Sequence, residues 1–307
     1  MRSFGAVVAA LACAAIAACG GGAGDSAAPR ARSSSPPDAR ASFRQPFGDA
    51  EAYPVVVSSE LVVGRNRFQL GVMDSNDAPI GSRSMSVAVR FFDLAESAAE
   101  PASSARLRYV ETAPGRGVYV GTATFERAGE WGAEVSIDGD GVDSTVRTSF
   151  RVADDASTPA VGERVPASDT PTLADVDDLS EISTDSDPDP SFYRTSIAQA
   201  LRARAPFVVV FATPKFCQSA VCAPTLDTVQ RIARDYDGVT FVHVEVYENL
   251  DDPSNLEQAP SVGEWGLRTE PWVFVVGADG RVVSKYEGSV TPAELRADLE
   301  RLPASAR

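Results

Sequence analysis

Two cysteines, Cys217 and Cys222, are the residues of this chain whose type and spacing best fit a chemical role. They follow the apolar run Phe207–Phe211, which predicts a buried strand, and they precede a segment in which apolar residues recur at helical spacing. Thiols outside the cytosol tend to oxidise, so in an exported protein such a pair is either a structural disulfide or a redox couple. The pair alone leaves both interpretations open.

The N-terminal residues predict export and attachment to lipid. An apolar run too short to cross a membrane ends in Ile16-Ala17-Ala18-Cys19. This ending resembles the lipobox of bacterial lipoproteins, and the resemblance implies cleavage before Cys19 and diacylation of its sulfur. We therefore expect a signal peptide over 1–19, a flexible tether over 20–49, and a lipid anchor on the outer face of the cytoplasmic membrane. The alternative is an ordinary secretory peptide in which Cys19 is incidental.

Composition and charge limit the classes of partner. The chain has 307 residues, is 44% hydrophobic and carries a formal net charge of -15, which argues against binding to nucleic acid or to anionic lipid headgroups. Between Asp154 and Asp189 there are eleven acidic residues and one basic residue, Arg164. This stretch is also rich in Pro, Ser and Thr, and its composition predicts an acidic, solvated linker over 154–190.

Short strands separated by turn residues dominate the segment 50–153. Apolar and polar residues alternate along seven stretches and none has helical periodicity, which predicts an antiparallel β-sandwich of immunoglobulin-like type. The stretches Gly64–Gly71 and Gly117–Trp131 resemble the YtkA-like and FixH-like modules of bacterial envelope proteins. Some of those relatives are associated with copper, but this segment has no His and no Cys. We therefore predict a spacer or a partner-binding module.

The segment 191–304 alternates between strands and helices, in the order β-α-β and then β-β-α. Its stretches Ala205–Asp227 and Thr269–Trp272 resemble thioredoxin-like proteins, with a buried strand, a cysteine at the start of a helix, and a proline that opens an opposing strand. The resemblance implies a mixed sheet with helices on both faces, and a cis Pro271 peptide beside the cysteines. The expected fold class is thus an all-β immunoglobulin-like sandwich followed by an α/β thioredoxin-like domain.

The cysteine spacing differs from that family, whose oxidoreductases have C-x-x-C where this chain has C-x-x-x-x-C. Residues five apart on a helix are separated by about 7.5 Å along its axis and about 140° around it. A disulfide needs Cα atoms within about 7 Å, so both cysteines cannot lie in intact helix while bonded. Either Cys217 lies in the loop before the helix or the first turn unwinds, and Pro214 and Pro224 favour irregular backbone here.

The activity that the resemblance implies is thiol–disulfide exchange with exported proteins. Cys217 would be the attacking thiolate and Cys222 the resolving thiol, with Pro271 beside them. Lys215 would favour the thiolate, and Glu270 would oppose it if its carboxylate faces the sulfur. A membrane reductant would be the second partner, and we expect a monomer without a bound cofactor or metal.

Two alternatives stay open. In the first, the disulfide is structural and the protein is a non-enzymatic binding or scaffold lipoprotein. In the second, Cys217, Cys222 and His243 form a copper site like that of Sco proteins, because thiolate and imidazole ligands suit Cu(I). His243 is the single histidine and lies within a predicted strand beside Glu245, where a hydrogen-bonded buried histidine is the simpler interpretation.

Overall fold

A computed structural model describes residues 39–45, 47–48 and 50–302 of the chain. The expected signal peptide, the lipobox Cys19 and most of the tether over 20–49 lie outside the described residues, so they stay predictions. The described residues belong to one compact unit, and about 17% of them are helical. None of the described helices combines the length and the apolar composition that crossing a membrane requires.

Eight strands of the N-terminal half form one antiparallel sheet, which we call the large sheet. In chain order they are β1 Ala52–Val56, β2 Gly64–Asp74, β3 Pro79–Ile80, β4 Ser86–Asp93, β5 Ser103–Ala113, β6 Arg116–Phe125, β7 Gly129–Gly139 and β8 Val142–Val152. Their hydrogen-bonded order is β1-β2-β6-β5-β4-β7-β8, with β3 paired to β2. The two end strands approach each other, since the Ala52 N–H donates to Ser144 Oγ at 3.4 Å, and the sheet is nearly closed.

Aromatic side chains fill the interior of the large sheet. Because side chains alternate between the two faces of a strand, each strand turns one set of apolar residues inward. Phe68, Phe91 and Phe125 are fully buried, and the Phe91 ring meets the other two edge to face at 5.0 and 5.5 Å. Trp131 is 2% exposed and donates its indole N–H to the Arg127 carbonyl at 3.1 Å, so it is a core residue.

The predicted fold class is wrong. We expected an immunoglobulin-like sandwich followed by an α/β thioredoxin-like domain, but the described chain is mostly β within one compact unit, and its strands 52–152 form one nearly closed sheet. The helices are short and few. Alternation along a strand shows which residues face a core, but it cannot distinguish two stacked sheets from one sheet that curls on itself.

The C-terminal half contains a second, four-stranded sheet, which we call the C-terminal sheet, and four short helices. The elements are α1 Ile197–Ala203, β9 Phe207–Phe211, α2 Cys222–Ala233, β10 Thr240–Val244, β11 Tyr247–Glu248, β12 Glu257–Gln258, α3 Pro260–Glu264, β13 Trp272–Val276, β14 Val282–Glu287 and α4 Pro292–Leu299. The strand order is β10-β9-β13-β14, with β10 parallel to β9 and the other pairs antiparallel. β11 and β12 form a separate two-stranded sheet.

Strand β9 is buried on both faces because every one of its residues is apolar. Val208 and Val210 lie in the apolar cluster that contains the buried residues of α2 and α4. Val209 and Phe211 lie in a second cluster, on the opposite face, with the buried residues of α1 and α3. The strand therefore ends at Phe211 in a fixed position, and the chain that leaves it carries Cys217.

The segment 154–190, which we expected as a solvated linker, packs against the C-terminal half. Val165 is 7% exposed, and its N–H donates to the Gly280 carbonyl at 3.0 Å. Ser168 accepts a hydrogen bond from the Trp265 indole N–H at 3.1 Å. Gly266, at φ +63°, lies so close to the Ser157 carbonyl that a Cβ there would collide with it.

The acidic side chains of this segment are hydrogen-bonded locally, which explains how so charged a stretch can be ordered. Asp175 accepts bonds from the N–H and the hydroxyl of Thr172 at 2.9 and 2.7 Å. Asp178 caps the 3-10 helix Leu179–Glu181. Both carboxylates stay at the surface, whereas Thr172, the partner of Asp175, is buried. A count of charge detects the acids but not these partners.

Ion pairs join the large sheet to the C-terminal half, and we call this set of contacts the junction. Glu294 of α4 accepts from Arg67 Nε at 3.0 Å and Nη2 at 3.3 Å, and Arg108 lies 3.4 Å away. The Lys285 ammonium donates to Glu60 at 2.5 Å. The side chains of the Arg67–Glu294 and Lys285–Glu60 pairs are only 10–17% exposed. Two of the three contacts of the junction are therefore largely desolvated, whereas the Arg108 side chain is 65% exposed.

Candidate functional site

The two cysteines lie where the C-terminal sheet meets the start of α2. Cys217 is partly buried and lies in the ten-residue connection 212–221, which we call the cysteine loop, and Cys222 is the first residue of α2 and is fully buried. They are at disulfide distance, with Cα atoms 6.0 Å apart. Of the two arrangements that the spacing allowed, the structure has the one in which Cys217 lies before an intact helix.

The start of α2 directs a backbone donor at the Cys217 sulfur. The Cys222 N–H donates to Cys217 Sγ at 3.3 Å, and Ser219 Oγ is also 3.3 Å from that sulfur. Val221, the N-cap residue, provides no side-chain cap to the first turn of α2. A helix N-terminus carries partial positive charge, and an N–H donor directed at a sulfur favours the thiolate over the thiol.

Pro271 lies at the same edge of the C-terminal sheet as the cysteine loop. The Glu270–Pro271 peptide is cis, which is the state that we expected of it. Trp272, the next residue, pairs with Phe211 at the end of β9, so Pro271 and the start of the cysteine loop occupy neighbouring ends of two paired strands. The Pro271 carbonyl accepts a hydrogen bond from the Gly288 N–H at 2.8 Å, which ties this edge to the segment before α4.

Lys215 and Glu270, the two charged residues that we expected to affect the Cys217 sulfur, each interact with an aromatic residue at the cysteine loop. The Lys215 ammonium lies 5.2 Å from the centre of the Phe216 ring, and that ring meets the Tyr247 ring at 6.3 Å. Burial raises the pKa of the Glu270 carboxyl, and burial followed by the Glu270 charge raises the pKa of Tyr247. The Glu270 charge therefore acts on Tyr247, whose ring meets that of Phe216 in the cysteine loop.

A chain of buried hydrogen bonds holds the start of the cysteine loop. His243 Nε2 is 3.1 Å from the Ala212 carbonyl, which can only accept, so Nε2 carries the proton. Nδ1 then accepts from the Tyr193 hydroxyl at 2.7 Å, and that oxygen in turn accepts from Ser183 Oγ at 2.8 Å. Burial lowers the pKa of His243 to about 4, so the imidazole is neutral at pH 7.

This network bears on the copper hypothesis. His243 is 3% exposed and both of its ring nitrogens are engaged, with Tyr193 and with the Ala212 backbone. Among the described residues no group of three His, Cys, Asp or Glu side chains is placed to hold a metal ion. The contacts of His243 give it a structural role at the base of the cysteine loop.

A second buried group, Glu245, also supports the loop, and sequence reasoning assigned it no role. Its carboxylate accepts from the Thr184 N–H at 3.0 Å and hydroxyl at 2.6 Å, and the Lys215 N–H donates to that hydroxyl at 3.2 Å. Burial raises the pKa of Glu245, against the effect of the hydroxyls of Thr184 and Thr213. The segment 154–190 thus supplies both Ser183 and Thr184 to the base of the site, a role that its composition did not reveal.

Comparison with known proteins gives no family. No protein-family model matches the chain, and no curated protein matches it. Among solved structures, the chain is similar to a DUF4426 family protein from Pseudomonas aeruginosa, at a TM-score of 0.25 and 14% identity over 36% of this chain and 96% of that one. It is also similar to a β-glucuronidase from Parabacteroides merdae, at a TM-score of 0.21 and 15% identity over 35% of this chain and 14% of that one.

Likenesses this weak carry no functional assignment. Neither of them points to the YtkA-like or FixH-like modules, so that resemblance stays a prediction. What the residues themselves define is a mostly β protein with one cysteine pair at disulfide distance beside the N-terminus of a helix.

Proposed function

We propose that this protein exchanges thiols and disulfides with exported proteins through Cys217 and Cys222. The observation that carries the proposal is the asymmetry of the pair, because Cys217 is partly exposed and accepts the first N–H of α2, whereas Cys222 is fully buried behind it. An attacking cysteine needs access and a stabilised thiolate, and a resolving cysteine needs only to reach the first sulfur.

The reaction in the reducing direction has two steps. The Cys217 thiolate attacks one sulfur of a substrate disulfide, a mixed disulfide forms, and the other substrate sulfur leaves as a thiolate. Cys222 then loses its proton and attacks Cys217 Sγ, which releases the second substrate thiol and leaves the Cys217–Cys222 disulfide. A dithiol reductant at the membrane returns the pair to its reduced form, and the same steps in reverse oxidise a substrate dithiol.

The proposal includes the location that the N-terminal residues predict. Lipid attachment at Cys19 would hold the protein at the outer face of the cytoplasmic membrane, where exported proteins emerge and thiols oxidise. Replacing Cys19 by alanine should release the protein from washed membranes and abolish its labelling by a fatty-acid probe. Membrane retention of that variant would contradict the anchor without affecting the redox proposal.

The reduction potential of the pair tests the redox proposal directly. The full chain is equilibrated with glutathione buffers and trapped with a maleimide, and peptide masses follow Cys217 and Cys222 apart from Cys13 and Cys19. We expect a value between about -120 and -270 mV, the range of exchange catalysts. A value below about -300 mV would identify a structural disulfide, and the non-enzymatic binding or scaffold role would replace the proposal.

A further inference from the structure

A small pocket of about 180 Å³ lies at the end of β10. Its walls are residues 168–171 and 181–182 of the segment 154–190, residues 243–249, and the start of α3. The volume is below the range of about 300–1,000 Å³ for sites that bind larger ligands, so only a small group fits inside. Neither cysteine lines the pocket, and the proposed exchange reaction does not use it.

The pocket is negatively charged. Five acidic residues line it, and no Lys or Arg of the described chain does. The acidic residues are Asp169, Glu181, Glu245, Glu248 and Glu264. His243 also lines the pocket, but burial lowers its pKa to about 4, so the imidazole is neutral at pH 7. The lining therefore attracts cations and repels anions.

The start of α3 does little to offset this charge. The first residue of the helix, Pro260, has no N–H. The Val262 N–H donates to the Ala259 carbonyl at 3.0 Å. Two of the first three positions of the helix therefore offer the pocket no backbone donor.

Two of the five carboxylates are free to bind a ligand. Among the described residues, the side chains of Asp169 and Glu248 make no hydrogen bond and no ion pair, and both residues are exposed. Glu248 also lies directly opposite Glu257 in the β11–β12 pair. Like charges in such a position destabilise a sheet, so a cation bound here would relieve a repulsion that the fold leaves in place.

Ser261 adds a free hydrogen-bonding group to the pocket. It is 6% exposed, and its hydroxyl makes no hydrogen bond within the described part of the chain. Unlike the unpaired buried hydroxyl of Thr225, that of Ser261 is not cut off from solvent, and it reaches solvent through the pocket that Ser261 lines. Buried hydroxyls in proteins are nearly always paired, so this one indicates an occupant with a hydrogen-bonding group.

The spacing of the carboxylates favours an organic cation over a metal ion. A metal ion needs its ligands within about 2.6 Å of one point, and no three His, Cys, Asp or Glu side chains of the described residues are placed to hold one. A guanidinium or ammonium group donates several N–H bonds to oxygens about 2.7–2.9 Å from its nitrogens, so it can reach carboxylates that lie further apart.

Apolar residues complete the lining. Pro171, Ile182, Ala259 and Pro260 lie among the acidic residues, and Tyr247 lines the pocket too. An inorganic cation would leave this surface without a partner, whereas a short hydrocarbon chain would cover it. Acidic and apolar groups together fit a cation at the end of such a chain.

We infer that this pocket binds a guanidinium or primary ammonium group carried on a short hydrocarbon chain. The cation donates hydrogen bonds to the carboxylates of Asp169 and Glu248 and to the hydroxyl oxygen of Ser261, and its chain lies against the apolar residues. The same group can come from a free alkylguanidine or alkylamine, or from an Arg or Lys side chain of another polypeptide. The inference does not depend on the function proposed for the cysteines.

Calorimetric titration of the full, oxidised chain tests the inference with two matched pairs of ligands. n-Butylguanidine stands for the free cation, and n-butylurea has its shape without its charge. An acetylated and amidated Gly-Arg-Gly peptide stands for the polypeptide source, and the same peptide with citrulline in place of Arg is its neutral partner. We expect a cation to bind at least about tenfold more tightly than its neutral partner.

The outcome of the two pairs distinguishes the sources. Selective binding of n-butylguanidine alone identifies a free cation as the ligand, and binding of the Arg peptide at least as tightly identifies a polypeptide side chain. If neither cation binds more tightly than its neutral partner, the inference is overturned. The titration involves neither cysteine, so its outcome is independent of the reduction potential that tests the proposed function.

Variants locate the binding. In Asp169→Asn/Glu248→Gln the Kd of the cation should rise at least about tenfold, and in Ser261→Ala about fivefold. The matched control is Glu126→Gln/Asp138→Asn, which makes the same change in net charge at exposed residues outside the pocket and should leave the Kd unchanged. Equal losses in the two double variants would show that net charge alone attracts the cation, and would overturn the pocket as its site.

Urea unfolding separates loss of binding from loss of the fold. Asp169→Asn/Glu248→Gln should unfold at no lower urea concentration than the parent, because the two carboxylates have no partner and Glu248 faces Glu257. The loss of affinity in that variant then reports on the ligand contacts. An unchanged Kd in both Asp169→Asn/Glu248→Gln and Ser261→Ala would overturn the inference.

Discussion

The junction and the cysteine loop differ in how their polar groups are paired. At the junction, Glu294 accepts two bonds from Arg67 and also caps α4 through Thr291, and its side chain is 16% exposed. In the cysteine loop, residues 218–220 are exposed, and Ala220 adopts a left-handed conformation at φ +57°. The junction is a network with many partners for each group, whereas the loop is fixed at its ends and sparsely bonded in between.

This difference indicates which contacts maintain the fold and which are available for chemistry. A largely buried ion pair whose partner is removed leaves an uncompensated charge, so the junction should be costly to break. A sparsely bonded loop can change its bonding with little effect on the rest of the molecule. If the disulfide served mainly to stabilise the fold, removing it would lower the free energy of unfolding more than breaking the junction does.

Breaking the junction should have the largest effect on stability. Glu294→Ala leaves the Arg67 guanidinium buried without its carboxylate, and we expect a loss of about 3–5 kcal/mol in the free energy of unfolding, measured with urea. The matched control is Asp235→Ala, because Asp235 forms an ion pair at 2.6 Å with Arg296, which is also a residue of α4. Both side chains of that pair are exposed, and exposed ion pairs contribute about 0–1 kcal/mol. Equal losses in the two variants would contradict the comparison.

The pH dependence of this variant provides a second readout. Burial raises the pKa of Glu294, but the Arg67 charge and the bonds from Thr291 and Arg67 outweigh it and leave the pKa below its usual value. A lowered carboxyl pKa contributes stability that is present above about pH 4.3, its unfolded value, and is lost as the pH falls through the folded value. The difference between the parent and Glu294→Ala should therefore shrink below about pH 4.

The network under the cysteine loop should have the next largest effect. Burial lowers the pKa of His243 to about 4 in the folded state, against about 6.5 in the unfolded state. The neutral ring therefore contributes stability above about pH 6.5, and this stability is lost as the pH falls towards 4. The difference between the two pKa values corresponds to about 3 kcal/mol. In His243→Gln this part of the pH dependence should be absent, as measured by urea unfolding between pH 7 and 4.

Other charged groups near His243 set the control for that measurement. Glu245, whose pKa burial raises, is present in parent and variant alike, and so is the Asp185 charge that acts on His243. Subtracting the two stability curves removes their common part. Parallel curves for parent and His243→Gln would show that the imidazole does not titrate on unfolding in this range.

The sequence predicts some of these features and does not predict others, for physical reasons. Thr291-Pro292-Ala293-Glu294 predicts the start of α4 from local sequence alone, and the structure confirms a capping box there, since capping depends on residues three apart. The pairing of Glu294 with Arg67, 227 residues away, has no local signature. The same holds for the chain from Ser183 through Tyr193 to His243.

The fold class failed for a related reason. Period-two alternation predicts strands over 106–110 and 142–152, and these stretches lie within β5 and β8, because burial of one face of a strand leaves apolar residues at every second position. Whether those strands close into one sheet depends on which neighbour each strand pairs with, and alternation does not encode it. The sequence predicted the placement of Cys217 before the helix as one of two arrangements. It could do so because the Cα separation that a disulfide allows restricts the backbone between two cysteines that are close in sequence.

Removing the disulfide should cost less than breaking the junction. The bond closes a loop of only six residues, for which the chain-entropy model gives about 2 kcal/mol. Cys217→Ala/Cys222→Ala should therefore lose no more than about 2 kcal/mol in urea unfolding, and reduction of the parent with dithiothreitol should give a similar loss. A loss of about 4 kcal/mol or more in either measurement would identify the bond as a main support of the fold.

The smallest effects should come from the two charges beside the cysteine loop, and they should have opposite signs. Glu270→Gln removes a negative charge that acts on Tyr247, whose ring meets that of Phe216 in the cysteine loop. Alkylation of reduced Cys217 by iodoacetamide at pH 7 should therefore accelerate, by less than about threefold. Lys215→Gln removes a positive charge beside Phe216 and should slow alkylation by a similar factor. Both effects should weaken in 1 M salt, because exposed charges are screened within about 3 Å there. Changes of the same sign in the two variants would mean that loop conformation, and not charge, controls the reactivity of Cys217.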